Sequence, residues 1–317
     1  MEISAPARGV HIPLITPFTG TGEIALDALE RLAHELLDEG AAGLVALGTT
    51  AEVATLTAEE KQSVVDVVAG VCRERDAPLI VGAGSNDTAA SREALAALRK
   101  VPEAVAALTL VPHFTRPGEA GVIAHFTELA ADSPVPLVIY HVPYRTGQEL
   151  GAETLRKLGA LPGVVGVKYA TGAISASTAD LMADPPDGFA VLAGDDVLLS
   201  PLLAMGAHGG ILASAHLATA RFAELVRLWH AGDAAHEGGT AHARDLGHRL
   251  AALSAALFAE PNPTVIKGVL HTQGRIPSPA VRLPLLPAGS ESVSAALRVL
   301  DSLTREPYHP TSGGYEK

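Results

Sequence analysis

Eight short apolar runs, each followed by a segment with helical spacing, occupy the first two thirds of the chain. The runs are rich in Val, Ile and Leu, and they do not alternate between apolar and polar residues. Each therefore predicts a strand that is buried on both faces, as in a parallel sheet. Eight strand–helix units favour a (β/α)8 TIM barrel over an open doubly wound sheet, which has fewer strands. The runs are residues 10–15, 43–47, 79–82, 105–111, 136–140, 164–168, 190–193 and 209–213.

The segments between the runs carry helix signals. Residues 26–37 place leucines in one apolar stripe at helical spacing. Thr57 and Glu60 form a predicted capping box, in which each side chain accepts a hydrogen bond from the backbone of the other residue. Further helices are predicted at 88–100, 117–131, 152–158, 175–182, 197–205 and 219–230.

The alternation stops near residue 232. Beyond it an Ala-rich helical segment, a turn and two more helices follow with no strand between them. We therefore expect a catalytic barrel over 1–232, a C-terminal helical domain over 233–304 and a flexible tail over 305–317.

The composition excludes several classes of function. With 48% hydrophobic and 18% charged residues, the 317-residue chain is not of the disordered type. A net charge of −12 argues against a nucleic-acid surface, and the chain lacks the ~18-residue apolar run of a membrane span. The single cysteine, Cys72, excludes an intrachain disulfide and fits a reducing compartment. We expect a cytoplasmic protein without a signal peptide.

In a barrel of this kind, the active site lies at the C-terminal ends of the strands. Lys168 ends the sixth run. Burial there would lower the pKa of its amine, and a neutral amine can form a Schiff base with a ketone. The alternative is a structural lysine that extends to solvent.

Other strand ends supply polar side chains that could act with it. Tyr140 is a candidate proton carrier, or a core tyrosine with a satisfied hydroxyl. Thr49 and Thr50 could bind a carboxylate, or form an ordinary turn. Arg145 could pair with a substrate carboxylate, or lie on the surface.

The adjacent Asp195 and Asp196 favour capping of the following helix over catalysis. We find no metal-ligand spacing, no phosphate-binding loop and no dinucleotide fingerprint. The sequence therefore predicts no metal and no cofactor.

Several short motifs recur in a fixed order from about residue 9 to residue 303. Together they resemble the dihydrodipicolinate synthase / N-acetylneuraminate lyase family of pyruvate-dependent class I aldolases, and they are closest to the synthase branch. The motifs are Ile-Thr-Pro at 15–17, Gly-Thr-Thr-Ala-Glu at 48–52, Arg-Pro at 116–117, Tyr-His-Val-Pro-Tyr-Arg-Thr-Gly at 140–147, Gly-Val-Lys-Tyr-Ala-Thr-Gly at 166–172, Gly-Asp-Asp at 194–196, Glu-Pro-Asn-Pro at 260–263 and Arg-Leu-Pro at 282–284.

The resemblance implies a role for each matching position. Lys168 would form the Schiff base with pyruvate, and Tyr140 would transfer protons. Thr49 and Thr50 would hold the pyruvate carboxylate. The resemblance also implies that Ile211 lines the pyruvate pocket, whereas Arg145 would contact the carboxylate of the aldehyde partner.

Three positions depart from the family pattern. Ala51 replaces a glycine, and Tyr169 stands where the synthases commonly have glutamate. Phe114 replaces a tyrosine that completes a proton relay from the neighbouring subunit. Because Phe114 has no hydroxyl, the departure predicts slower proton transfer in the synthase reaction.

The resemblance thus implies a Schiff-base lyase that acts as a 4-hydroxy-tetrahydrodipicolinate synthase in lysine biosynthesis, on pyruvate and aspartate semialdehyde. The alternatives are an aldolase or dehydratase for another 2-oxo acid, or a non-catalytic barrel that binds a metabolite. The resemblance also implies a homotetramer, built as a dimer of dimers. Inhibition by L-lysine is not expected, because the positions that would hold it are Val53, Ala58, Lys61, Ala90 and His113, with only Asn86 of the expected type.

Overall fold

The computed structural model of the protein describes residues 8–231 and 239–305. Eight parallel strands pair in sequence order, and the eighth pairs with the first to close a barrel. The predicted (β/α)8 barrel is therefore confirmed, with a strand at each of the eight apolar runs. The strands are β1 Gly9–Pro13, β2 Gly43–Ala46, β3 Leu79–Gly82, β4 Ala104–Leu110, β5 Leu137–His141, β6 Val164–Tyr169, β7 Ala190–Ala193 and β8 Gly209–Ile211.

Helices follow the strands and cover the outside of the barrel. All the predicted helices are present, with ends that differ by a few residues. The helices are α1 Leu26–Asp38, α2 Ala58–Glu74, α3 Thr88–Ala97, α4 Gly118–Asp132, α5 Pro143–Thr146, α6 Ala152–Gly159, α7 Ala176–Ala183, α8 Leu199–Ala204, α9 Thr219–Ala231, α10 Gly239–Leu257, α11 Thr264–Thr272 and α12 Ser290–Arg305.

The local signals in the sequence act as predicted. The side chain of Thr57 accepts the backbone N–H of Glu60 at 3.2 Å, and the Glu60 carboxylate accepts the N–H of Thr57 at 2.9 Å. This capping box satisfies two N–H groups at the start of α2 that have no partner within the helix. The leucine stripe of α1 is buried against the barrel through Leu29, Leu32 and Leu36.

Side chains alternate between the inside and the outside of the barrel. The interior is filled by small and branched residues such as Val45, Ile80 and Val138. In the register of β5 and β6, Tyr140 lies beside Lys168. Because both residues are at the C-terminal ends of their strands, they lie side by side where the barrel opens.

The C-terminal helices pack on the barrel. Helix α10 contacts α9 and α12, and its leucines share one core with the barrel helices. The predicted boundary at 232 and the predicted tail beyond 305 lie outside the described residues, so the domain division stays a prediction. None of the helices between residues 8 and 231 or 239 and 305 is both long and apolar enough to cross a bilayer.

Candidate active site

A cavity of ≈130 Å³ opens at the C-terminal end of the barrel. All six side chains that the sequence singled out line it. They come from four different strand ends, which is where this fold collects its catalytic residues. They are Thr49, Thr50, Tyr140, Arg145, Lys168 and Ile211.

Lys168 occupies the floor of the cavity and is buried. Burial lowers the pKa of its amine to about 8, and the nearby carboxylate of Asp196 offsets part of that shift. The ammonium nitrogen lies 4.3 Å from the centre of the Tyr140 ring. The neutral, nucleophilic amine is therefore a minor form at pH 7, but a much larger fraction than an exposed lysine would have.

The backbone of Gly194 makes room for the lysine. A Cβ at this position would lie 2.9 Å from Cγ of Lys168 and 3.2 Å from its Cε. Such contacts are shorter than normal carbon–carbon packing, so a larger residue would displace the lysine side chain. Glycine at the end of β7 thus helps to fix where the amine lies.

The two aspartates after Gly194 do not cap the following helix as we predicted. The carboxylate of Asp195 accepts the backbone N–H of Gly172, and that of Asp196 accepts the N–H of Ser214 at 2.6 Å. Neither makes a side-chain cap on the 3-10 turn that begins there. The physical reason is that adjacent strand-end loops place backbone N–H groups within hydrogen-bonding distance of these carboxylates. Burial raises the pKa of Asp196 to about 6.

Tyr140 lies next to Lys168 with its ring in the barrel interior. Burial raises the pKa of its phenol to about 12, and a hydrogen bond with the side chain of Thr49 opposes that shift. The phenol is therefore protonated at neutral pH and can donate a proton. The phenol lies between the Lys168 amine, where an imine would form, and the Thr49 hydroxyl. It is therefore placed to transfer a proton at that imine.

The turn that carries the two threonines is held by contacts from distant parts of the chain. It is a 3-10 turn, Thr49–Ala51, followed by Glu52 in the left-handed conformation with φ 55°. The hydroxyl of Thr16 donates to the carbonyl of Ala51 at 2.8 Å. The amide of Asn262 donates to the Thr50 hydroxyl at 3.0 Å. These bonds fix the turn in an orientation in which its side chains reach the cavity.

A buried ion pair anchors the same turn from behind. The ammonium group of Lys267 lies 2.5 Å from the carboxylate of Glu52, and both side chains are almost fully buried. The other Glu52 oxygen accepts the backbone N–H of Arg282 at 2.8 Å. The ring of Phe18 lies 4.1 Å from the Lys267 nitrogen. The C-terminal segment thus fixes the turn directly.

Arg145 is placed by the short helix α5, which the sequence did not predict. Pro143 begins the helix, and Gly147 ends it in the left-handed conformation with φ 75°. Pro at the start and Gly after the end are the residues such a helix favours. The helix directs Arg145 and Tyr144 toward the cavity mouth.

Six further residues that line the cavity were given no role from the sequence, among them Gly194 and Ala213. Val197 and Phe258 are partly exposed at its rim. Asn262 and Tyr144 lie inside the matched motifs at 260–263 and 140–147, so those motifs could have pointed to them. Within residues 8–231 and 239–305, there is no group of three or more His, Cys, Asp or Glu side chains that could hold a metal.

The loop after β4 lies beside α5 and carries strained backbone. Phe114 has φ 67° and Arg116 has φ 48°, values that side-chain-bearing residues seldom adopt. The N–H of Phe114 donates to the carbonyl of Thr146 at 3.2 Å. The Phe114 ring projects outward and is 88% exposed.

Comparison with known proteins agrees with this geometry. The sequence model of the dihydrodipicolinate synthetase family matches residues 6–302. The chain belongs to the dihydrodipicolinate synthetase family. It is also 37% identical over 301 residues to the 4-hydroxy-tetrahydrodipicolinate synthase of Neisseria gonorrhoeae. The aligned region covers 93% of this chain and 99% of that one.

Solved structures of the dihydrodipicolinate synthetase family have the same fold. The synthase of Acinetobacter baumannii, in a chloride-inhibited form complexed with pyruvate, superimposes with a TM-score of 0.86 at 31% identity, covering 93% of this chain and 98% of that one. The enzyme of Cyanidioschyzon merolae, with lysine bound, superimposes with a TM-score of 0.86 at 30% identity. This superposition also covers 93% of this chain and 98% of the other. This member of the family is therefore an enzyme, a lyase of the Schiff-base class I aldolase type.

Proposed function

We propose that the protein is a 4-hydroxy-tetrahydrodipicolinate synthase, which condenses pyruvate with aspartate semialdehyde. The observation that carries the proposal is the buried amine of Lys168, placed beside Tyr140 in a cavity edged by Thr49 and Thr50. A non-catalytic barrel would have no need of a lysine whose amine is desolvated and whose space is kept free by Gly194.

In the first half of the proposed reaction, the neutral Lys168 amine attacks the ketone carbon of pyruvate. Loss of water from the resulting carbinolamine gives the imine, and the Tyr140 phenol supplies the proton that lets hydroxide leave as water. The hydroxyls of Thr49 and Thr50 bind the pyruvate carboxylate. Ile211, buried at the end of β8, packs against the methyl group.

In the second half, the imine loses a methyl proton and becomes an enamine. The enamine carbon attacks the aldehyde. The amino group that came from aspartate semialdehyde then attacks the imine carbon, which closes the ring of the product and displaces the Lys168 amine. The guanidinium group of Arg145, at the mouth of the cavity, binds the carboxylate of the aldehyde partner.

The proposal is tested by incubating the purified protein with pyruvate and aspartate semialdehyde and identifying the product by mass spectrometry. A panel of other aldehydes is run in parallel, because an aldolase for a different 2-oxo acid would prefer one of them. Faster condensation with another aldehyde than with aspartate semialdehyde would replace this substrate assignment.

We propose that the protein acts in the cytoplasm as a homotetramer, a dimer of dimers. The free, buried Cys72 suits a reducing compartment. Phe114 supports the assembly, because its apolar ring is 88% exposed in the single chain and contact with a second copy would remove it from water. Multi-angle light scattering at micromolar concentration is expected to give four times the chain mass. A monomer under those conditions would contradict the proposal.

L-lysine is expected to leave the activity unchanged. Val53, Ala58 and Lys61 line a largely apolar cavity between α2 and the barrel, in which the cationic Lys61 would repel the ammonium groups of the amino acid. Turnover is measured with and without millimolar L-lysine, and the same concentration of L-norleucine serves as a control for nonspecific effects. Half-inhibition by lysine alone would overturn this prediction.

A further inference from the structure

Tyr144 brings a second phenol to the cavity. It lies in the first turn of α5, next to Arg145, and it lines the same cavity as Tyr140 and Lys168. The two tyrosines differ in position: Tyr140 is buried in the floor, whereas Tyr144 is 64% exposed at the mouth. Tyr144 is therefore placed to contact a substrate that binds after pyruvate.

A neighbouring cation orients the Tyr144 hydroxyl. The Nε–H of Arg145 donates to the phenol oxygen at 3.1 Å, and the guanidinium carbon lies 5.5 Å from the centre of the ring. Because the phenol oxygen is the acceptor in this bond, its own O–H remains free to donate to another group. The positive charge of Arg145 also stabilises negative charge on the oxygen once the proton has left.

Aldol addition needs such a donor at the mouth. When a carbon nucleophile adds to an aldehyde, the carbonyl electron pair moves to oxygen, and the alkoxide that forms must gain a proton. Tyr140 is held in the floor beside Lys168, where it serves the imine. The aldehyde, with its carboxylate on Arg145, would place its oxygen nearer to Tyr144.

We propose that Tyr144 is the acid that protonates the aldehyde oxygen as the carbon–carbon bond forms, an inference that rests on the proposed function. In this step the enamine carbon bonds to the aldehyde carbon, and the enamine nitrogen becomes an iminium. The phenol proton passes to the new alkoxide, and the phenolate beside Arg145 regains a proton from water at the open mouth. The step therefore conserves protons and needs no other reactant.

With Tyr144 as the acid, the proton donor comes from the same chain as the active site and no residue of a neighbouring subunit is needed for this step. Phe114 stands where the family pattern has the relay tyrosine, and its ring has no hydroxyl proton to donate. Tyr144 is contributed by the same chain as Lys168, and its hydroxyl is already oriented in the single chain.

The test compares Tyr144→Phe with the wild type, and Tyr169→Phe is the matched control. The Tyr169 hydroxyl lies outside the cavity and pairs with that of Thr178 at 3.1 Å. For Tyr144→Phe we expect kcat to fall roughly 10²-fold, whereas KM for the aldehyde and borohydride trapping of pyruvate stay within about threefold of wild type. Tyr144→His should recover part of the loss, because imidazole can also donate a proton. For the control, all these quantities should remain near wild type.

Several outcomes would overturn the inference. An unchanged kcat in Tyr144→Phe would do so, and so would a rise in KM alone, which would make Tyr144 a positioning residue for Arg145. A wild-type protein that traps pyruvate but condenses it with no aldehyde in the panel would remove the step while leaving the imine intact. A wild-type protein that does not trap pyruvate at all would overturn the proposed function itself.

Discussion

Replacing Lys168 with alanine is expected to abolish covalent trapping of pyruvate and to lower turnover by a factor on the order of 10⁴ or more. Among residues 8–231 and 239–305, Lys168 is the only one with a side-chain amine that lines the cavity. Without it the ketone has no nucleophile to form an imine, so the methyl group is not activated for carbon–carbon bond formation. The fold should survive, because a smaller side chain removes a desolvated amine rather than an apolar contact.

The measurement uses borohydride with pyruvate, followed by peptide mass spectrometry. In the wild type, a reduced pyruvyl group is expected on Lys168, and no modified peptide is expected in Lys168→Ala. Lys157→Ala is the matched control, since Lys157 is an exposed lysine that pairs with Glu153 on the surface of α6. Modification at another lysine, or full turnover in Lys168→Ala, would disprove the Schiff-base assignment.

The pH dependence gives an independent check on the same residue. Because burial lowers the pKa of Lys168 to about 8, the protonated and unreactive amine dominates below that pH. The rate of imine formation should therefore rise with pH up to about 8 and level off above it. An exposed lysine would continue to gain reactivity up to about 10.4.

The barrel and most of the cavity could be predicted from the sequence because their signals are local. A buried parallel strand is a short apolar run, and the residue that ends the run lies at the barrel mouth. Lys168 and Tyr140, which end their runs, could be placed by this rule before any contact was known. The place of Ile211 in the pocket came from the family resemblance. The Thr57 capping box depends on residues three apart and was equally accessible.

The contacts that orient those residues depend on positions far apart in the chain. Glu52 and Lys267 are separated by 215 residues, and Thr50 and Asn262 by 212. Neither periodicity nor a capping pattern relates such positions, so Lys267 could only be assigned to a C-terminal helix. For Asp196, the competing partner was the N–H of Ser214 on the next strand-end loop, which the local capping pattern does not contain.

Replacing Lys267 with methionine is expected to destabilise the protein strongly, by about 3–5 kcal/mol. Its ammonium group lies 2.5 Å from Glu52 and 2.8 Å from the carbonyl of Ala280. Methionine fills a similar volume, so the main cost is the carboxylate of Glu52 left in the interior without its cation. The thermal midpoint, measured by differential scanning calorimetry, should fall by several degrees.

The exposed pair formed by Lys157 and Glu153 is the control for this prediction. It joins the same two residue types at 2.7 Å, but its side chains are 57% and 81% exposed. Water screens such a pair, so Lys157→Met should leave the thermal midpoint almost unchanged. An equal effect of the two substitutions would show that burial does not govern the strength of the Lys267 contact.

A second substitution separates the lost attraction from the unpaired charge. Adding Glu52→Gln to Lys267→Met removes the uncompensated carboxylate but does not restore the ion pair, so the double variant should recover part of the lost stability. It should nevertheless bind pyruvate more weakly than wild type, because Glu52 also accepts the N–H of Arg282 and ends the turn that holds Thr50. If the double variant is less stable than Lys267→Met alone, the unpaired charge is not the source of the loss, and the pair acts mainly through its hydrogen bonds.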